Sequence, residues 1–288
     1  MTGVPPLIDH FAPLARGYDV VLSDVWGVVH NGLAAFPEAC DALKRFRAGG
    51  GTVLLITNAP RPASVVVRLL DRLDVPHDAY DGIVSSGDVT QEVILARRGQ
   101  RVFSIGPERD LPTYAELGVE FASAERADYV VCTGLFDDDS ETPEDYRELL
   151  GKLRRRDLLM VCANPDLVVE RGERLVYCAG AIADVYASLG GKVLYAGKPH
   201  RPIYETALAR AAGARGSETA LERVLAIGDS VRTDLTGATS FGIDCLFVTA
   251  GIHAEELGSR ENPDPASLGA IFAQAKLYPK AVTRRLVW

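Results

Sequence analysis

Residues 19–32 read DVVLSDVWGVVHNG, and the first half of that stretch decides the fold class. The aliphatic run Val20-Val21-Leu22 closes on the polar pair Ser23-Asp24. A short apolar run without polar alternation is the signature of a strand buried on both faces, as in a parallel sheet. The next stretch, PEACDALKRFRAGG (37–50), places a proline at a helix start and glycines at its stop. TVLLITN (52–58) repeats the buried strand, and a second helix is expected from Pro62 to Leu73. The alternation returns late in the chain, where RVLAIGD (223–229) and CLFVTAG (245–251) flank a short helix in TDLTGATSFG (233–242). Strands alternating with helices predict an α/β protein with a doubly wound, Rossmann-like parallel sheet.

From about Arg101 to Leu189 the pattern loosens. Shorter strands are expected in RVFSI (101–105), ADYVVCT (127–133) and DLLMVCA (157–163), with a basic helix from Tyr146 to Arg156. The acidic stretch FDDDSETPED (136–145) reads as a solvated loop leading into that helix, with Thr142, Pro143, Glu144 and Asp145 as start signals. The chain length of 288 residues fits about two domains. The expected division is a discontinuous core, 1–99 with 191–288, and an inserted α/β domain over 100–190.

Composition narrows the function classes. With 47% hydrophobic and 24% charged residues the chain is a folding sequence, not a disordered one. Its 31 Lys and Arg against 39 Asp and Glu give a formal charge of −8, which offers no general attraction to nucleic acid polymers or anionic lipid. No apolar run reaches membrane-spanning length, and the N-terminus has neither a basic nor a hydrophobic leader region, so a cytoplasmic protein is expected. Cys40, Cys132, Cys162, Cys178 and Cys245 are odd in number and widely spaced, without a C-x-x-C pair. They fit neither a disulfide framework nor a zinc site and read as small buried apolar residues. Neither G-x-G-x-x-G nor G-x-x-x-x-G-K-[ST] occurs, which argues against a nucleotide cofactor.

Three core strands end in polar clusters: Ser23-Asp24-Val25-Trp26-Gly27, Thr57-Asn58, and Gly228-Asp229-Ser230 followed by Thr233-Asp234. Open parallel sheets bind ligands beyond the carboxyl ends of their strands, so three such endings point to one site. Clustered carboxylates repel, and an oxygen-rich set without His or Cys suits magnesium. Lys198, in YAGKPH, is positioned to add positive charge. Each residue alone also has a plainer reading: Asp24 and Thr57 as turn residues, Thr233 and Asp234 as a helix cap, Lys198 as a surface charge.

In this order the pieces resemble the haloacid dehalogenase (HAD) superfamily of phosphohydrolases. DVWGVVHNG (24–32) aligns with that family's D-x-D-G-V-x-x-x-G, LLITNAP (54–60) with its second motif, GKPHRPIYE (197–205) with its third, and IGDSVRTD (227–234) with G-D-x-x-x-T-D. SSGDVT (85–90) and ANPDLV (163–168) resemble the branch of nitrophenyl phosphatases, phosphoglycolate phosphatases and ribonucleotide monophosphatases. That branch carries a large α/β cap between the second and third motifs, where the insertion lies. The resemblance implies that Asp24 is the nucleophile, forming an aspartyl phosphate, and that magnesium is held by Asp24, Asp229 and the main-chain carbonyl of Trp26, with Asp234 completing the site either as a direct ligand or through the ligands it touches. It further implies that Thr57 and the Asn58 N–H hold phosphate oxygens and that Lys198 pairs with the phosphate and with Asp24. Substrate choice is expected in the cap, with Asn164, Asp166 and the stretch Cys178 to Asp184 as candidate contacts. The expected partner is a small phosphorylated metabolite such as a sugar phosphate or nucleotide, with no nucleic acid polymer and no membrane. A homodimer through the cap is left open.

One position departs from the pattern. The second aspartate of the first motif, which in such phosphatases protonates the leaving oxygen, is Trp26 here. An indole donates a hydrogen bond but is no acid or base near neutral pH, and a positioned acid is worth roughly 10²–10⁴ in rate. Three readings follow: a phosphatase, slow or supplied with its proton by another group, for which His30 is the nearest candidate; a metal- and phosphoryl-binding protein with little turnover; or dehalogenase-type chemistry at Asp24.

Overall fold

The computed structural model describes residues 5–171, 174–259 and 262–288. In chain order its strands are β1 (Val20–Asp24), β2 (Thr52–Thr57), β3 (Gly82–Ser85), β4 (Arg101–Ile105), β5 (Glu120–Phe121), β6 (Tyr129–Cys132) and β7 (Leu159–Cys162). There follow β8 (Val168–Arg171), β9 (Arg174–Tyr177), β10 (Lys192–Tyr195), β11 (Val224–Gly228), β12 (Asp244–Val248) and β13 (Ala281–Thr283). Two compact units result: Met1–Thr57 with Val67–Val84 and Tyr204–Trp288, and Asn58–Val66 with Ser85–Ile203. The first four residues of the expected 1–99 segment lie outside the described residues.

The first unit holds a six-stranded sheet in the order β13-β12-β11-β1-β2-β3. Every residue of β1 and β11 is buried, as their continuous apolar runs predict. The chain runs outward from β1 through β2 and β3 on one side, and from β11 through β12 and β13 on the other. Strand order thus reverses between β1 and β11, the point where a parallel sheet leaves a crevice at its carboxyl edge. The parallel register pairs Ser23 with Ile227 and Asp24 with Ile56, so the ends of β1, β2 and β11 lie level. The helix Pro37–Ala48 starts at its proline and buries Ala39, Cys40, Ala42, Leu43 and Phe46, a stripe with helical period. Burial of a side chain such as Leu43 or Phe46 stabilises by about 1.5–3 kcal/mol.

The second unit holds a five-stranded sheet, β10-β7-β6-β4-β5, whose recorded pairings are all parallel, and an antiparallel hairpin of β8 and β9. Successive residues of β6 face opposite sides. Tyr129 and Val131 pack with Ile94, Val102, Tyr114 and Val161, while Val130 and Cys132 pack with Leu150, Leu153, Met160, Ile182 and Tyr186. Ile94 packs in one cluster with Val102 and Tyr129, which attaches the helix Ser86–Ala96 to this unit. A capping box between Thr142 and Asp145 opens the turn ahead of the helix Arg147–Arg155, in agreement with the start signals of the acidic stretch.

The α/β class with parallel sheets matches the expectation, but β3, β5, β10, β13 and the β8–β9 hairpin have no counterpart in it. Strands of two to four residues are too short to display a period. The expected helix at 233–242 is a π-helical turn, Val231–Leu235, running into the α-helix Thr236–Phe241. All five cysteines are free and buried. Among the described residues, no helix is long and apolar enough to cross a membrane.

Candidate functional site

In the first unit the level strand ends bring Asp24, Asp229 and Asp234 together. All three are buried, and each offers a carboxylate oxygen within 4.8 Å of the others. Asp24 closes β1, and β11 runs directly into Asp229. The turn after it is tied by its own side chains: Ser230 Oγ accepts the Thr233 N–H at 3.3 Å, and Asp234 Oδ2 accepts the Ser230 N–H at 3.2 Å and the Thr233 hydroxyl at 3.4 Å. Asp229 Oδ2 accepts the Ile252 N–H at 2.8 Å. Backbone without side chains encloses the two acids. A Cβ on Gly228 would lie 2.1 Å from Asp234 Cγ, one on Gly27 2.1 Å from Asp229 Oδ2, and one on Gly251 1.8 Å from that same oxygen.

This arrangement fits a divalent cation. Oxygens on one magnesium at about 2.0–2.1 Å lie about 2.9–4.2 Å apart, a separation the three carboxylates reach with small adjustments. The donors are hard oxygens only, which suits magnesium, calcium or manganese over zinc. A second acidic trio among the described residues, Asp137, Asp138 and Asp139 in the second unit, is tied differently, with Asp138 paired to Arg109 and Asp139 to Arg174 at 3.2 Å.

Trp26 and His30 sit on the turn that follows Asp24. Trp26 is 38% exposed, and its ring meets His30 edge to face at a centroid distance of 5.1 Å. Gly32, at φ +84°, lies against the far end of the indole, where a Cβ would be 2.4 Å from Trp26 Cη2. The turn is knit by Gly27 N–H donating to the His30 carbonyl and by Asn31 Oδ1 accepting the Leu33 and Ala34 N–H groups. His30 is 1% exposed, its Nδ1 accepts the Gly32 N–H at 2.9 Å, and burial pushes its pKa down to about 4. Such a ring is neutral at pH 7. The expectation that His30 protonates a leaving group therefore meets a contrary setting: the imidazole supports the turn under Trp26. Thr57, half-buried, closes β2 at the level of Asp24.

In the second unit Asn58, Asn164, Asp166 and Lys198 form one network. Asn58 Oδ1 accepts the Lys198 N–H at 2.7 Å, and its Nδ2 donates to the Lys198 carbonyl at 3.0 Å and to Asp166 Oδ1 at 2.9 Å. Asn164 Oδ1 accepts the Asp166 N–H at 3.1 Å. Gly197 presses its α-carbon onto Asn58 and Pro165, so Lys198, only 2% exposed, is gripped from both sides of its main chain. Asn164 and Asp166, expected as substrate contacts, thus take part in placing the lysine. Within the stretch Cys178 to Asp184, residues 179–183 are buried in the helix Ala179–Ser188, and Gly180 lies against the carbonyls of Pro165 and Asp166. That stretch supports the 164–166 turn.

Sequence reasoning missed the segment 251–256, which supplies Gly251 and the Ile252 N–H to Asp229. A sign of it was present, since the segment follows the carboxyl end of a core strand.

Comparison with known proteins agrees with this geometry. Residues 21–120 match the family model described as haloacid dehalogenase-like hydrolase, and residues 195–271 match a related HAD-hydrolase-like model. A hydrolase of the haloacid dehalogenase-like family from Brucella suis 1330 is 48% identical, with a TM-score of 0.86 over 97% of this chain and 100% of that one. A 5'-nucleotidase of Bacillus subtilis is 28% identical over 84% of this chain and 91% of its own length. The 4-nitrophenylphosphatase of Thermotoga maritima is 25% identical, with a TM-score of 0.69 over 93% of this chain and 95% of that one. With four ordered motifs, an acid cluster at the switch point of a parallel sheet and a relative of nearly half identity along its whole length, the chain belongs to the haloacid dehalogenase-like family of hydrolases.

Proposed function

We propose that the protein is a magnesium-dependent phosphohydrolase acting on a small phosphorylated metabolite through an aspartyl phosphate on Asp24. The observation that carries this reading is the buried trio Asp24, Asp229 and Asp234, with oxygens within 4.8 Å of one another at the sheet's switch point. The activities named for the Bacillus and Thermotoga relatives support the reaction class. One Asp24 oxygen attacks phosphorus, the bond from phosphorus to the leaving oxygen breaks, and water then cleaves the acyl phosphate to return the carboxylate and inorganic phosphate. When bound, magnesium at Asp24, Asp229, Asp234 and the Trp26 carbonyl supplies charge neutralisation between nucleophile and phosphate. Thr57 and the Asn58 N–H hold phosphoryl oxygens, and Lys198, fixed through its main chain by Asn58, balances their charge. Substrate choice is assigned to the insertion over 100–190.

Trp26 favours substrates whose leaving oxygen departs without a proton, such as aryl or acyl phosphates, and makes alkyl phosphates slow. It also gives weight to a second reading, a phosphoryl-binding protein with little turnover. Phosphate release from an aryl phosphate that needs magnesium and is abolished by Asp24→Asn is the expected result. Tight magnesium-dependent binding of beryllium fluoride without turnover selects the binding reading. Halide release from a haloacid without magnesium defeats both.

A further inference from the structure

The segment after β12 touches both ends of the acid cluster. At one end Gly251 closes on the Asp229 carboxylate, and the Ile252 N–H donates to Asp229 Oδ2 at 2.8 Å. At the other end the Val231 N–H donates to His253 Nε2 at 3.3 Å, and Val231 opens the π-helical turn that carries Asp234. The remaining ring nitrogen, His253 Nδ1, lies 2.9 Å from Glu256 Oε2. A carboxylate only accepts, so Glu256 fixes the ring proton on Nδ1 and leaves the Nε2 lone pair for Val231. The ring also rests near Phe247 of β12, at a centroid distance of 6.0 Å, which limits its rotation.

From this geometry we infer that His253 is a positioning residue for the metal centre: with Glu256 as its orienting partner, it holds the Val231–Leu235 turn so that Asp234 meets Asp229 on one cation. The inference rests on the reading of Asp24, Asp229 and Asp234 as metal ligands and extends it to a residue outside the four motifs. Its chemistry is specific. The ring must present an acceptor to a main-chain N–H, so glutamine, with an acceptor oxygen and a donor amide, can replace it, whereas leucine of similar bulk cannot. Partners of this outer kind are typically worth 10–100-fold in metal affinity.

The test is titration of the metal-free full chain with manganese, read from the paramagnetic signal of the free ion, together with melting of the metal-free protein. We expect His253→Leu to weaken manganese binding about tenfold, at the low end of that range because the contact is relayed through backbone. His253→Gln is expected to stay within about threefold of wild type. Glu256→Ala, at a side chain 57% exposed and therefore tolerant of substitution, is expected to weaken binding by a smaller factor without changing metal-free melting. The inference is overturned if His253→Leu binds as wild type does, or if the leucine and glutamine variants weaken equally in proportion to lost melting temperature. Should the leucine variant fail to fold, Glu256→Ala decides: unchanged affinity there overturns the relay. A wild type that binds no manganese more tightly than Asp229→Asn defeats the metal reading itself, an outcome separate from failure of the relay.

Discussion

Replacing Gly251 by alanine adds one methyl group where the carboxylate cluster, the proposed metal centre, has least room. Gly251 does not adopt a positive φ, so alanine meets no backbone penalty there. Its Cβ would lie 1.8 Å from Asp229 Oδ2 and 2.3 Å from Asp229 Cβ. Relief to the 3.4 Å of ordinary contact moves that oxygen by about 1.6 Å, and the carboxylate carbon with it. Magnesium tolerates deviations of only about 0.2 Å around its 2.0–2.1 Å bonds, so under the proposed metal reading Asp229 would leave the coordination sphere. The variant should then bind magnesium at least 10–100-fold more weakly. Overpacking costs about 1–3 kcal/mol and appears as a lower melting temperature without metal. The diagnostic quantity is the increment on adding magnesium. At a hundred times its dissociation constant a ligand stabilises by about 2.7 kcal/mol, roughly 4–5 °C for a chain of 288 residues. Wild type should show that increment in a melting scan, and Gly251→Ala should show almost none at the same magnesium concentration. A variant retaining the full increment refutes the argument, because the carboxylate would then have room that the packing denies it. A wild type without any increment refutes the metal centre.

Further outcomes are open to simple assays. Trp26→Asp is expected to raise kcat/KM on an alkyl phosphate by about 10² while changing an aryl phosphate much less, since only the poor leaving group needs the proton; equal effects on both argue against the missing-acid account. Asn58→Ala removes its two hydrogen bonds to the Lys198 main chain and the one to Asp166, and the buried groups left behind should cost about 2–4 kcal/mol in urea unfolding. An unchanged midpoint would show that the clamp is dispensable. Burial pushes the Cys132 thiol up to about 12 and Cys40 up to about 11, so at pH 8 only about one thiol in a thousand or fewer is thiolate. Native protein should resist Ellman's reagent until denatured, when five thiols react, and rapid native labelling contradicts the burial.

The parts of the fold and site that could be read from the sequence share one property: a side chain carries the information. Val20 to Asp24 and Val224 to Gly228 show their burial as unbroken apolar runs, and their polar endings mark the carboxyl edge where Asp24 and Asp229 meet. What escaped is carried by backbone or by packing. At Gly251 the information is a missing Cβ, at Ile252 it is an N–H, and at His253 it is the acceptor lone pair facing Val231. Asn58 escaped in a different way. The family resemblance implied a main-chain contact with phosphate, but the orientation of its amide toward Lys198 and Asp166 depends on residues 108 and 140 positions away. The strands β3 and β13 are too short to announce themselves, yet β13 covers the edge of β12 from which the 251–256 segment departs.

Trp26 shows why reading one position against a motif is not enough. As a letter it is a lost aspartate. In the structure its indole spans from the His30 ring to the α-carbon of Gly32, and each of those residues is suited to it: glycine leaves the room that any Cβ would fill, and the histidine is buried where its Nδ1 can accept the Gly32 N–H. An aspartate at 26 reaches neither. It would restore an acid while leaving the imidazole without its ring contact and the space beside Gly32 unfilled, so the gain in proton transfer and the loss in packing arrive together. They separate by readout, because packing alters stability for every substrate alike whereas the proton alters rate in proportion to leaving-group basicity. The turn from 26 to 32 is therefore one packed unit, and a substitution at 26 acts on that unit as a whole.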